Sequence, residues 1–127
     1  MKIAVTIIRI LMGLIFLFSS IVVLFDLVPK PELEGGVRLF NEGMEAAVYL
    51  MPLIKVVELI CAIAFITGFF VPLATVVVFP IVVNILLFHG FLAPEGLPIA
   101  IFLLLGNLLL AYYYRNYYAP LLLAKAA

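Results

Sequence analysis

Five polar side chains interrupt stretches of sequence that are otherwise almost wholly apolar: Lys55, Glu58, Asn84, His89 and Asn107. Lys55 and Glu58 are three residues apart, so on a helix they share a face and can form an ion pair. An amide and the only histidine of the chain, Asn84 and His89, can donate and accept hydrogen bonds, and an imidazole can also exchange a proton near neutral pH. These residue types are suited to binding a small polar group within an apolar environment.

The composition indicates that this environment is a lipid bilayer. The 127 residues are 69% hydrophobic and 11% charged, and the mean hydropathy is +1.41. Soluble domains carry roughly 25% charged residues, so a soluble fold would lack polar surface. We therefore predict an integral membrane protein whose main partner is the lipid bilayer. The net charge is zero, which argues against a nucleic-acid partner.

Four apolar segments are long enough to cross a bilayer as helices, because a hydrocarbon core about 30 Å thick needs roughly 20 helical residues. They cover about residues 3–28, 49–70, 72–89 and 98–114. The segments lack the alternation of a transmembrane barrel strand, and the first lacks a signal-peptide cleavage site. We predict an all-α fold with a single domain over residues 1–127, a four-helix transmembrane bundle that retains its first helix.

The connections between these segments carry their own signals. Gly68 can end the second helix and Pro72 can begin the third, so the two are expected to be antiparallel neighbours. Pro80 lies within the third segment and predicts a kink. The long first loop predicts a short amphipathic helix at the membrane interface. Its apolar face would comprise Val37, Phe40, Met44, Ala47, Val48 and Met51, and its polar face Arg38, Asn41, Glu42 and Glu45.

The distribution of charge predicts an orientation for the bundle. Four spans put both termini on one side of the membrane. The basic residues on that side are Lys2, Arg9, Arg115 and Lys125. The opposite side carries Lys30 and Arg38 among the acidic residues Glu32, Glu34, Glu42, Glu45 and Glu95. The positive-inside rule then places the N- and C-termini in the cytoplasm. A rise of about 1.5 Å per residue brings all five polar residues to the outer half of the membrane.

This common depth favours one shared pocket, because ionisable groups in hydrocarbon cost about 2.5–3.5 kcal/mol unless they face a partner or a cavity. The alternative is purely structural: Asn84 and Asn107 bridge helices, and His89 caps the third helix. Other chemistries are excluded. A lone Cys61 and a lone histidine supply neither a disulfide, a bis-histidine haem nor a metal site. Ser19 and Ser20 are expected to bond to carbonyls one turn back in the first helix, and no catalytic residue is identified.

Several stretches, in order and spacing, resemble the DoxX-like family of small four-span bacterial membrane proteins. RILMGLIFLFSS (9–20) resembles the opening helix of that family, and YLMPLIKVVELICAIAFITGFFVPLA (49–74) its second helix and tight turn. PIVVNILLFHGFLAPEGLP (80–98) is similar to the third helix and the loop that follows it. Together with the proline-containing first loop, these stretches cover nearly the whole chain.

The resemblance implies a multi-pass protein of the bacterial cytoplasmic (inner) membrane, associated with quinone-linked or other membrane oxidoreductase systems. It implies a redox-enzyme subunit as partner and quinone as a ligand. No cofactor is expected to be bound covalently, and the chain is not expected to be an enzyme on its own. Glu58, Asn84 and His89 become candidate contacts for the quinone head group, with Lys55 and Asn107 nearby. A scaffold or assembly factor, with or without homo-oligomerisation, is the alternative. A transporter is less favoured because no inverted repeat is detectable.

Overall fold

A computed structural model describes residues 1–27 and 34–124 of the chain. Six α-helices follow one another: α1 (Lys2–Leu24), α2 (Gly35–Ala46), α3 (Leu50–Thr67), α4 (Val71–Phe91), α5 (Leu97–Tyr113) and α6 (Arg115–Tyr118). Single 3₁₀ turns cover Pro94–Gly96 and Ala119–Leu122. No strand occurs among these residues. Helices α1, α3, α4 and α5 are long and apolar enough to cross a membrane, which confirms the predicted all-α bundle of four spans.

The four long helices form a closed square. Helix α1 packs against α3 and α5, and α4 packs against the same two helices, so α1 and α4 lie diagonally across the bundle. A core of mutually packed side chains fills the centre. Phe16 and Phe65 stack across the α1–α3 contact with ring centroids 6.3 Å apart, and Cys61 is buried beside them as a small apolar residue.

Two glycines set how closely the helices approach. A Cβ on Gly13 would lie 2.7 Å from Ile66 Cγ1 and 3.1 Å from the Ala62 carbonyl oxygen, so α1 and α3 meet almost backbone to backbone. A Cβ on Gly106 of α5 would lie 2.7 Å from Met12 Sδ. Small residues at such contacts are the usual means by which membrane helices gain packing energy, since lipid provides no hydrophobic drive between them.

The α3–α4 connection is the predicted tight turn. Gly68 ends α3 with a φ of 85°, in the left-handed region that glycine favours, and Pro72 is the second residue of α4. The guanidinium of Arg9 packs directly on Gly68, and a Cβ there would collide with it. Helix α4 runs through Pro80 without interruption, so any kink at this residue stays a prediction.

Helix α1 is shorter than predicted. It ends at Leu24, and Asp26 takes a left-handed φ of 53° soon after, so the chain leaves the helix before residue 28. Val28 lies outside the described residues, as do Lys30, the proline-containing part of the first loop, Glu32 and Lys125. The predictions made for those residues are therefore untested.

The predicted amphipathic helix is confirmed as α2, although its apolar face is shorter than expected. Met44 is buried, and Phe40 lies 4.8 Å from Phe88 of α4 between ring centroids. Val48 was predicted on this face and is instead 79% exposed. The helix ends at Ala46, and Val48 takes a φ of 64°, which turns its side chain away from the helical register.

The C-terminal segment folds back on the end of α5. Arg115 donates a hydrogen bond to the Tyr112 carbonyl oxygen and lies 4.3 Å above the Tyr112 ring. The Tyr118 hydroxyl donates to the carbonyl oxygen of Ala111, and burial raises the pKa of this phenol. These contacts hold the tyrosine-rich stretch against the end of α5.

Candidate functional site

A cavity of about 930 Å³ occupies one half of the bundle, at the end covered by α2. We call this the α2 end: α1 and α4 finish there, and α3 and α5 begin there. Side chains from all four long helices and from α2 line the cavity. Its walls are predominantly aliphatic and aromatic, with a few polar groups set into them, as is usual for sites that bind apolar small molecules.

The strongest polar feature of the wall is an ion pair. Lys55 Nζ donates to Glu58 Oε2 at 3.1 Å, and the Glu58 side chain is only 2% exposed. The same ammonium donates to Ser19 Oγ of α1 at 2.8 Å. The sequence predicted the pair from its three-residue spacing. Because an ammonium has three donors, one N–H of Lys55 has no partner among the described residues.

The two serines of α1 have different roles. Ser20 is fully buried and its hydroxyl donates to the Phe16 carbonyl oxygen at 2.6 Å, one turn back, as predicted. Ser19 was expected to do the same, but it accepts from Lys55 and lines the cavity. A cation on α3 is the reason for the difference, since a hydroxyl beside an ammonium gains a charge-assisted hydrogen bond. The sequence analysis did not include Ser19 in the site.

His89 lies at the rim of the cavity near the end of α4. Its Nδ1 is 2.8 Å from the Ile85 carbonyl oxygen, and because a carbonyl has no proton to give, Nδ1 is the donor. Nε2 is then the acceptor in the neutral ring. The ring stands edge-on to Phe88 and packs against Gly96, where a Cβ would collide with it. The glycine of the Pro94–Gly96 turn therefore makes room for the imidazole.

Asn84 also lines the cavity, from one turn deeper in α4 than Phe88. Its side chain is exposed and forms no hydrogen bond with any described residue. The amide is thus not used to bridge helices, which was the structural alternative for this residue. It offers both a donor and an acceptor to whatever occupies the cavity.

Asn107 is the candidate that the structure does not bring to the cavity. It is 1% exposed, and its Nδ2 donates to the Thr75 carbonyl oxygen of α4 at 3.2 Å. Its Oδ1 is buried without a partner among the described residues. This residue bridges α5 to α4, which is the structural role weighed as the alternative in the sequence.

Helix α2 closes the end of the cavity. Phe40, Asn41 and Met44 line the cavity from α2, and the Phe40 ring lies against Phe88 at an interplanar angle of 47°. Asn41 was predicted on the polar face of this helix. Its Nδ2 donates to the Val37 carbonyl oxygen one turn back, which leaves the side chain near the helix and at the border of the two faces. An amide bonded to its own helix can border an apolar chamber without a further partner.

A family comparison places this geometry in context. The DoxX family model matches residues 4–90. The chain belongs to the DoxX family. The match runs from α1 to the end of α4 and so includes Lys55, Glu58, Asn84 and His89, while Asn107 lies beyond it. No curated protein and no solved structure matched the chain.

The donor set of this DoxX-family cavity limits the chemistry it can perform. Among residues 1–27 and 34–124, no group of three or more His, Cys, Asp or Glu side chains is placed to hold a metal ion. The polar groups that are present comprise an ammonium with a spare donor, a buried carboxylate, an unpaired amide and an imidazole at the rim. Such a set can bind carbonyl or hydroxyl oxygens and exchange a proton at the rim.

Proposed function

We propose that this protein is a non-catalytic accessory subunit of the bacterial cytoplasmic membrane that binds a quinone, or a lipid-like molecule of the same shape. The bundle would hold the head group within its α2-end cavity and present it to a membrane oxidoreductase. The observation that supports this most strongly is the convergence of Lys55, Glu58, Asn84 and His89 on one apolar cavity. Electrons for reduction of the bound quinone would come from the partner enzyme.

The polar groups suit a quinone head group in kind and number. The spare N–H of Lys55 and the amide of Asn84 can donate to the two carbonyl oxygens of a benzoquinone. His89 can pass a proton between water and the reduced ring, because an imidazole nitrogen can both accept and donate a proton. Most of the lining is apolar and would contact the ring faces and the isoprenoid chain.

The distribution of charge supports an orientation with both termini in the cytoplasm. Among the described residues, Lys2, Arg9 and Arg115 lie towards the end opposite α2. Within residues 1–27 and 34–124, the α2 end carries the acidic side chains of Asp26, Glu34, Glu42, Glu45 and Glu95 beside one arginine, Arg38. The positive-inside rule then directs α2 and the cavity to the outer leaflet, with α2 at the membrane interface.

A scaffold or assembly role is the second candidate, and one observation favours it. The ion pair is satisfied within the protein, since Lys55 binds both Glu58 and Ser19 and so links α3 to α1 without any ligand. On this account the polar residues hold the bundle together, and the cavity contains only lipid tails.

A fluorescence titration separates the two candidates. The chain contains no tryptophan, so Phe102→Trp places a single reporter on the cavity wall. Leu105→Trp, on the same helix but 60% exposed and outside the lining, reports random collisions in the lipid. With decyl-benzoquinone in nanodiscs, we expect saturable quenching of the first reporter and a linear, non-saturable response of the second.

Variants of the polar wall then test the head-group contacts. In the Phe102→Trp background, Asn84→Leu and His89→Ala should each weaken binding by about threefold to tenfold, the effect of losing one hydrogen bond. Phospholipids brominated on their acyl chains test the other occupant, since a lipid tail in the cavity would quench the reporter without added quinone. Identical linear quenching of both reporters would rule out the quinone-binding proposal and leave the scaffold role.

A further inference from the structure

Helices α1 and α5 approach each other closely at Gly106. A Cβ on Gly106 would meet Met12 Sδ at 2.7 Å and Ile8 Cγ2 at 3.0 Å, so the two helices touch at this point. Met12 is fully buried by the contact. The contact lies on the side of the cavity away from the α2 end, because the residues of α1 that line the cavity, apart from Leu11 beside the contact, follow Met12, and those of α5 precede Gly106.

Two turns nearer the α2 end, the same face of α5 is no longer fully covered. Ile99 is seven residues from Gly106, so it projects from the same face of α5 about 10.5 Å further along the helix. Gly106 is buried against α1, but Ile99 is 57% exposed and lines the cavity. Ile99, whose position on α5 predicts packing on α1, therefore borders an opening of the cavity.

The facing edge of α1 shows the same pattern. Leu11 and Phe18, seven residues apart on one edge, both line the cavity and are 45% and 71% exposed. A side chain that borders an internal cavity and is also exposed at the outer surface marks a place where the two are connected. The flanking residues are leucine, phenylalanine and isoleucine, so the opening faces the hydrocarbon of the bilayer and not water.

We infer that the cavity is filled sideways from the membrane, through a portal between α1 and α5 bordered by Leu11, Phe18 and Ile99. The inference rests on the proposed function and deepens it by defining the class of ligand. The ligand is a single-chain amphiphile with a small, uncharged head group. The head enters first and reaches Lys55 on the far wall, while the chain stays in the portal between Phe18 and Ile99.

A competing route would pass beneath α2, where Asn41 and His89 border the cavity next to water. A polar, water-soluble ligand would use that entrance. The two routes are bordered by different side chains, so a bulky substitution at one should leave the other open.

The portal is tested by the rate of binding, measured separately from its extent. Stopped-flow quenching of the Phe102→Trp reporter by decyl-benzoquinone in nanodiscs gives both quantities, with Ile54→Trp on α3 as a second reporter position. The portal variant is Leu11→Phe with Ile99→Phe. Its matched control is Ile7→Phe with Leu105→Phe, on the same two helices at lipid-exposed positions that do not line the cavity. Asn41→Phe obstructs the route beneath α2.

We expect the portal variant to bind about tenfold more slowly than the parent reporter, within the range that mutants of one site usually span, with the control and Asn41→Phe unchanged. All variants should retain the parent thermal transition, which excludes misfolding. A portal variant that binds at the parent rate, or slow binding by Asn41→Phe alone, overturns the portal and leaves the proposed function standing. Absence of saturable quenching in both reporters overturns the proposed function, and the portal with it.

Discussion

Lys55 Nζ lies 3.1 Å from Glu58 Oε2, in an ion pair whose two side chains are 13% and 2% exposed. One turn of α3 therefore carries both charges on the wall of an apolar cavity. A second ion pair of similar spacing, Arg38 to Glu42 on α2, is shorter at 2.8 Å but has side chains that are 65% and 55% exposed. We expect the burial of an ion pair, more than its N–O distance, to determine how much the pair contributes to the free energy of unfolding.

Removing one partner of the buried pair should destabilise the bundle strongly. Glu58→Leu leaves the Lys55 ammonium without its carboxylate and should lower the free energy of unfolding by about 3 kcal/mol. Glu42→Leu in the exposed pair should change it by less than about 1 kcal/mol. Adding Lys55→Met to Glu58→Leu should recover most of the loss. Steric-trapping measurements in bicelles provide these values, and equal losses from Glu58→Leu and Glu42→Leu would contradict the account.

Replacement by alanine should lower the stability of the protein at Gly13 and raise it at Gly90. At Gly13 the new Cβ meets the Ala62 carbonyl oxygen and Phe65 Cβ, neither of which can move easily, so Gly13→Ala should cost about 1–3 kcal/mol of stability. At Gly90, within α4, nothing lies within 4 Å, and Gly90→Ala should stabilise the helix by about 0.5–1 kcal/mol. Thermal melting in detergent measures both. The packing account fails if Gly13→Ala melts at or above the wild-type temperature.

The two intramembrane asparagines should be separable by ligand binding. Asn84 lines the cavity with an unpaired amide, and Asn107 is bonded to Thr75 outside it. Asn107→Leu should therefore leave the dissociation constant for decyl-benzoquinone within about twofold and change stability by about 0.6 kcal/mol, the average for such bonds in membrane helices. Asn84→Leu should weaken binding without a matching loss of stability. If Asn107→Leu weakened binding and Asn84→Leu did not, the amide that contacts the ligand would be Asn107 and not Asn84.

Tyr118 gives a prediction for pH. Its phenol is partly buried against α5, where its hydroxyl donates to the Ala111 carbonyl oxygen, and this desolvation raises its pKa above the ordinary value of about 10. A raised pKa means that the packed state favours the protonated phenol. The stabilisation is therefore complete below about pH 10 and is lost as the pH rises through the higher pKa of the packed state.

Ultraviolet titration of the tyrosines tests this directly. The difference between wild type and Tyr118→Phe should show one phenol that ionises at higher pH than a free tyrosine. Tyr117→Phe, which removes an exposed phenol of the same segment, is the matched control for the substitution. A Tyr118 phenol that ionises in the ordinary range would show that its contact with Ala111 does not persist in solution.

Much of this fold could be predicted because its signals are local. Long apolar segments mark spans, Gly68 and Pro72 mark a turn, and the spacing of Lys55 and Glu58 marks a pair on one face. The end of α1 could not be placed in the same way, because Phe25, Leu27 and Val28 continue the apolar segment on both sides of Asp26, and only the left-handed backbone at Asp26 shows where the helix stops.

The rotation of each helix about its axis was harder to predict. Helices α4 and α5 are apolar on nearly every side, and lipid is as apolar as a protein core, so hydrophobicity does not show which face turns inward. For this reason Asn84 and Asn107 looked equivalent in the sequence, although only Asn84 reaches the cavity. Ser19 was missed because its partner lies 36 residues away, on a helix whose rotation the sequence leaves open.

The most direct test of the central claim, that the cavity holds an amphiphile, is native mass spectrometry of the protein released from its membrane. Ile81→Trp fills the cavity from α4, and Val77→Trp adds the same bulk at a lipid-exposed position of that helix outside the lining. We predict that wild type and Val77→Trp each retain one bound small molecule per chain and that Ile81→Trp, folded and at least as stable, retains none. Detection of the wild-type chain without a bound molecule, as expected for Ile81→Trp, would contradict the account.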